Sequence, residues 1–249
     1  MTMNAIRFLA GRRHGPRGHV LATALAATLL AAASLSLPAA VQAQVPPSAA
    51  EVTAYSGLFK AAHAGDVAAV KRALKQGAPV DGRDARGRTA LHVATHAGQG
   101  DVIRALVGLG ADINALESDR YDAVTIASVA DDVQTLALLL SLGARADQVT
   151  SRYDGTALIA AAHLGHDEVV RRLIAAGAPL DHVNNLHWTA AIEAVVLGDG
   201  GARHQRSLAA LIRAGANMQL TDREGRTPLA LARARGYQEM VRMLEAAKR

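Results

Sequence analysis

The chain has 249 residues, half of them hydrophobic but only 3% aromatic, and no cysteine. That composition excludes disulfide staples and thiol nucleophiles, and it suits packed alanine-rich helices better than a core of large rings. The formal charge is +5, from 27 basic and 22 acidic residues, but Arg7, Arg12, Arg13 and Arg17 sit at the start and removing these four leaves +1, so the basic isoelectric point is no argument for nucleic acid.

Residues 1–43 read as a signal peptide. Four arginines and no acid precede an uncharged run from Val20 to Leu37, then Pro38 and the small-residue end Val41-Gln42-Ala43. This is the layout of a secretory signal, with cleavage expected after Ala43. At 18 residues the run is also long enough to span a bilayer, so a membrane-anchored scaffold with an uncleaved N-terminal helix is the alternative. In both cases the arginines stay on the cytoplasmic side and the rest is exported. Arg12-Arg13 hints at a twin-arginine signal, but His14 and Gly15 fit that motif poorly. The remaining chain has no Asn-X-Ser/Thr acceptor, which with the missing cysteines favours a bacterial periplasm.

Residues 44–50 form a short linker. Ser48-Ala-Ala-Glu51 matches a capping box, so a helix is expected from about Ala49 to His63. Asp66 should cap a second helix from Val67 to Gln76. From there the chain repeats itself. Gly65, Gly98, Gly165 and Gly198 fall 33, 67 and 33 residues apart, and Gly77, Gly110, Gly143 and Gly177 fall 33, 33 and 34 apart. The block Gly87-Arg88-Thr89-Ala90-Leu91-His92-Val93-Ala94 returns as Gly225-Arg226-Thr227-Pro228-Leu229-Ala230-Leu231-Ala232. Two short apolar helical faces per period cannot be buried alone and must stack on their neighbours.

A period of 33 residues with a Thr-Ala-Leu-His-x-Ala core resembles the ankyrin family, a turn plus two helices per repeat. The resemblance runs from about residue 51 to the end. It implies an all-α repeat solenoid of about six repeats, near 51–83, 84–116, 117–150, 151–183, 184–221 and 222–249. The third repeat is degraded: Val124-Thr125 stands where Leu-His would be, and Asp131 replaces the Gly. The fifth carries five extra residues, since Gly177 to Gly215 spans 38; they fall in Asp199 to Ser207, expected as a loop between its helices. Lys248-Arg249 suit the end of a last, water-facing helix.

No catalytic constellation is present: the chain lacks Gly-x-Ser-x-Gly, a phosphate loop and His-Glu-x-x-His. No enzymatic activity, cofactor or metal is expected. His63, His96 and His163 each precede the repeat glycine by two residues, yet helices packed 8–10 Å apart would need both rings to lean inward to share a zinc. They read instead as part of a recognition surface. By the family resemblance His92 is structural, bonding to turn backbone.

Tyr55, Arg88, Tyr121, Gly155, Trp188 and Arg226 all occupy the position before the motif threonine or its equivalent. By resemblance that position faces the concave surface, as do the turn residue matched by Tyr153 and the positions of His96 and His163. Aromatics and arginine gathered on one face have the make-up of an interface hot spot. The expected function is therefore an exported, monomeric adaptor that binds another protein through Tyr55, Arg88, His96, Tyr121, Tyr153, His163, Trp188 and Arg226. Contact with a membrane is expected only through the N-terminal segment, and none with nucleic acid. Glu193 sits where other repeats carry Val93, Ile126, Ala160 or Leu231, and a buried carboxylate needs a partner. Arg203 and His204, after Asp199 in the insertion, are the expected partners; they either hold the loop down or line a small-ligand or anion pocket.

Overall fold

The computed structural model describes residues 44–247; the expected signal peptide, residues 1–43, and the pair at 248–249 lie outside them. Among the described residues there are 13 helices and no strand, beyond one isolated bridge between Thr150 and Gly155. None of these helices is long and apolar enough to cross a membrane.

The capping box at Ser48 forms and starts α1 (Ala49–Ala54). The expectation of one helix to His63 fails, because the chain turns extended at Tyr55 and Ser56 before α2 (Gly57–Ala64). The break lets α2 take up the register of the other first helices. These are α4 (Ala90–His96), α6 (Ala123–Val129), α8 (Ala157–Leu164), α10 (Ala190–Val196) and α12 (Pro228–Ala234). Thr89, Asp122, Thr156, Thr189 and Thr227 cap the last five, each side-chain oxygen accepting the amide three residues on.

The second helices are α3 (Val67–Lys75), α5 (Gly100–Gly108), α7 (Val133–Ser141), α9 (Asp167–Ala175), α11 (Ala202–Arg213) and α13 (Gln238–Ala246). First helices pack in one row, second helices in another, and each pair packs across the rows. One alanine per repeat makes the close approach possible. Ala61, Ala94, Ala127, Ala161, Ala194 and Ala232 are all buried. In five of the six their carbonyls also accept the amide just past the reversal, as in Gln99 to Ala94 at 2.9 Å. On the second helices Leu106, Leu139, Leu173, Leu211 and Leu244 fill equivalent core positions, none more than 1% exposed. Burying such a side chain contributes about 1.5–3 kcal/mol.

The insertion is a longer helix, not the expected loop. The turn Asp199–Gly201 is followed by α11, which has 12 residues where its counterparts have nine. Leu208 and Leu211 return to phase, so the extra length is taken up at the N-terminal end of α11.

Candidate functional site

The face that presents Arg88, Tyr121 and Trp188 is built by one device used repeatedly. In four of the turns a side-chain oxygen accepts the amides two and four residues on. Asp84 holds Arg86 and Arg88, Glu117 holds Asp119 and Tyr121, Asn184 holds Leu186 and Trp188, and Asp222 holds Glu224 and Arg226. In the fourth repeat Ser151 does part of this, accepting from Tyr153. The turn acceptor thus fixes where each face residue begins.

Where the acceptor is aspartate, the arginine that follows folds back on it. Arg88 Nε donates to Asp84 Oδ2 at 2.7 Å and its Nη2 to Glu51 at 2.6 Å, leaving Arg88 2% exposed. Arg226 Nε likewise donates to Asp222 at 2.8 Å, with Nη2 on Glu224. This corrects the expectation that Arg88 offers its guanidinium to a partner: its charge is used inside the fold. Arg226 remains exposed but is also engaged. Tyr55 joins the first cluster, donating its hydroxyl to Asp84 at 3.1 Å and lying against Phe59 and His63. Burial pushes the Tyr55 hydroxyl up to about 12. Hydrogen bonds from the Ser48 amide and hydroxyl, with help from Arg88, hold Glu51 down at about 2.

Where the acceptor is Glu117 or Asn184, the following residue is aromatic. Tyr121, 8% exposed, lines two adjoining depressions. The smaller also takes in Arg88, His96, Glu117 and Asp119. Burial, then the charge of Arg88, lowers His96 to about 4. The larger depression, about 80 Å³, brings together Tyr121, Tyr153, His163 and Glu193. Trp188 and Arg226 line neither depression. His92 behaves as the resemblance implied: its Nε2 lies 3.0 Å from the Ala115 carbonyl and its Nδ1 2.8 Å from the Thr89 hydroxyl. Among the described residues no three His, Asp or Glu side chains gather as metal ligands.

Glu193 is buried, as its position implied, at 3% exposure. The partners differ from the expectation. Asn184 Nδ2 donates to Oε1 at 3.0 Å, and His163 Nδ1 stands 3.2 Å from Oε2. That second approach lacks hydrogen-bond geometry, so among the described residues Oε2 is buried without a hydrogen-bond donor. Arg203 and His204 are committed elsewhere. Arg203 reaches Asp131 at 2.6 Å and the Gly165 carbonyl at 3.0 Å, and His204 lies between Asp199 and the His163 carbonyl, 2.9 Å from each. Those contacts tie the insertion to the rest of the chain. They brace the fifth repeat against the third and fourth.

Asn184 is the residue sequence reasoning missed. The signal was available: it stands where Asp84 and Asp222 stand, in the same repeat as the anomalous Glu193. An amide can hold the turn with its oxygen and still donate to a carboxylate, which aspartate cannot do.

The family described as ankyrin repeats (3 copies) matches residues 29–117 and 124–222. The putative ankyrin repeat protein YahD of Escherichia coli K12 is 40% identical over 98 residues, 39% of this chain; the chain spans about half, 49%, of that relative's length. An ankyrin repeat domain from Acinetobacter baumannii AYE is 43% identical, with TM-score 0.72, covering 77% of this chain and 97% of its own. The ankyrin repeat protein EF0377 is 34% identical, with TM-score 0.70, over 77% and 98% of the two chains. At 22% identity, a chain from the complex of the Bdellovibrio bacteriovorus endopeptidase Bd0816 with immunity protein Bd3460 shares the fold, with TM-score 0.65 over 77% of this chain and 98% of its own.

Proposed function

The chain belongs to the ankyrin-repeat family, and on that footing we propose that it is an exported monomeric adaptor binding another protein through the face lined by Tyr121, Tyr153 and His163. Ankyrin repeats form protein–protein interaction domains, and the fold is typically a binding scaffold without enzymatic activity. One observation carries the choice of face: side chains from the third, fourth and fifth repeats converge on a single depression about 80 Å³ in volume. Export rests on the amino-terminal arginines, the uncharged run and the small residues before Gln44; mass spectrometry of the purified protein should find a chain that begins at Gln44, and an intact N-terminus would favour an anchored form.

Tyr153 gives the cleanest test, because it lies on the rim and is only half-buried. If it anchors the partner, Tyr153→Ala should cost about 2 kcal/mol or more of binding, roughly thirtyfold in affinity, with the melting temperature little changed. Arg242→Ala on α13, exposed and among the described residues paired with neighbouring Glu239 alone, serves as the control. Partner capture unchanged in Tyr153→Ala would remove this face from consideration.

A further inference from the structure

We propose that the larger depression receives a lysine side chain of the partner protein, its ammonium paired with Glu193; this rests on the binding face argued above. A carboxylate taken out of water needs donors on both oxygens. Glu193 has one. Asn184 donates to Oε1, whereas among the described residues Oε2 is buried with no hydrogen-bond donor, and His163 Nδ1 stands beside it at 3.2 Å outside hydrogen-bond geometry. Among the described residues no lysine or arginine lines the depression, and His163 is the one basic side chain in its walls.

The shape of the depression selects among cations. Arginine recognises carboxylate best as a two-pronged fork that needs both oxygens. Here Asn184 already donates to one oxygen and disfavours the fork, which leaves Oε2 as the oxygen without a donor and suits it to a compact ammonium. The volume of about 80 Å³ is that of two or three waters, enough for an ammonium and the end of its methylene stem. Thr125 and Thr150, whose hydroxyls are bonded to each other at 3.2 Å, also line the depression. Tyr121 and Tyr153 supply apolar surface for the stem and rings of a kind that favours cations. Gln44 already reaches this depression from the N-terminal segment, its Nε2 buried without an acceptor. A donor-tipped side chain on an extended segment therefore fits the entrance.

The test uses the full chain and three blocked pentapeptides with glycine at the outer positions and lysine, acetyl-lysine or arginine at the centre. Binding is read by NMR from the amides of Tyr153, Thr156, His163 and Glu193. The lysine peptide should bind at least tenfold more tightly than the other two, and the preference should vanish in Glu193→Gln but survive in His163→Ala. A folded Glu193→Gln, checked by its melting temperature, that keeps the preference overturns the proposal, as does equal binding of all three peptides or none. A preference lost in His163→Ala would make the histidine the recognising group and also overturn it. n-Butylamine binding as tightly as the lysine peptide would point to a free amine in place of a protein partner. Partner capture separates the two readings. Loss in Tyr153→Ala with unchanged capture in Glu193→Gln sinks the lysine and leaves the face; retention in both sinks the face as well.

Discussion

Arg88 shows how little a residue's type says about its use until its surroundings are known. On a presumed binding face it read as a hot-spot candidate, yet its guanidinium is spent on Asp84 and Glu51. Arg88→Ala would strand two carboxylates, so it should cost about 3 kcal/mol of stability, the low end for a broken buried pair because Glu51 is partly solvated. A denaturation midpoint equal to that of the parent would show the cluster to be ornamental. His92 and His96 make a second prediction. Burial lowers both to about 4 from 6.5, so the unfolded chain takes up protons that the folded one refuses. Stability is full above pH 6.5 and falls as the pH drops towards 4, by up to about 3 kcal/mol for His92 alone. Between pH 6.5 and 5 few ordinary carboxylates titrate, so the slope of melting temperature against pH should flatten in His92→Gln. An unchanged slope would mean that these rings are protonated in the fold.

At the scale of elements, the fifth repeat is where reading the sequence went furthest astray. The helix pairs were legible because the apolar positions, caps and glycines recur in phase. The five added residues broke that phase, and an out-of-phase stretch looks like a loop. Helicity there depends on contacts far along the chain: His204 and Arg203 dock on the fourth and third repeats, and Tyr237 donates to the Gly198 carbonyl at 3.0 Å. The site was legible in a similar measure. Tyr121, Tyr153 and His163 were found by alignment of repeats, but Asn184 and the true surroundings of Glu193 required knowing which neighbours stacking brings near. Gly198 tests the packing argument. It does not need a left-handed backbone; a Cβ there would lie 2.1 Å from the Ala194 carbonyl and 2.7 Å from His204. Gly198→Ala should therefore cost about 1–3 kcal/mol by overpacking, read as a lower denaturation midpoint. The third repeat, with Asp131 at φ 56°, remains the expected weak point. Amides over residues 117–132 should exchange sooner than those over 155–176, and Arg203→Ala should widen the gap.

The whole molecule is a row of similar units, so the consequence of a defect depends on where in the row it falls. Leu139 and Leu244 occupy the same position in their second helices and are buried alike, at 0% and 1% exposure. Cutting either to alanine leaves a similar cavity, expected to cost about 2–5 kcal/mol locally. In a stack whose repeats couple mainly to their neighbours, the effects should differ. Leu139 lies in the third repeat with a neighbour on each side, and α7 contacts both α5 and α9. Leu139→Ala should lower the midpoint of the main unfolding transition and broaden it, because the two ends can then unfold apart. Leu244 lies on α13, the last helix described. Leu244→Ala should leave the main midpoint within error and speed hydrogen exchange only over residues 228–247. The Arg203 brace works against this separation, since it ties the third repeat to the fifth across 72 residues of chain. Because that contact is half exposed it is worth only about 0.2–1 kcal/mol, too little to weld the stack into one unit. Equal loss of the main midpoint in both variants would show that the repeats unfold as a single body, and that coupling along the stack outweighs the cavity.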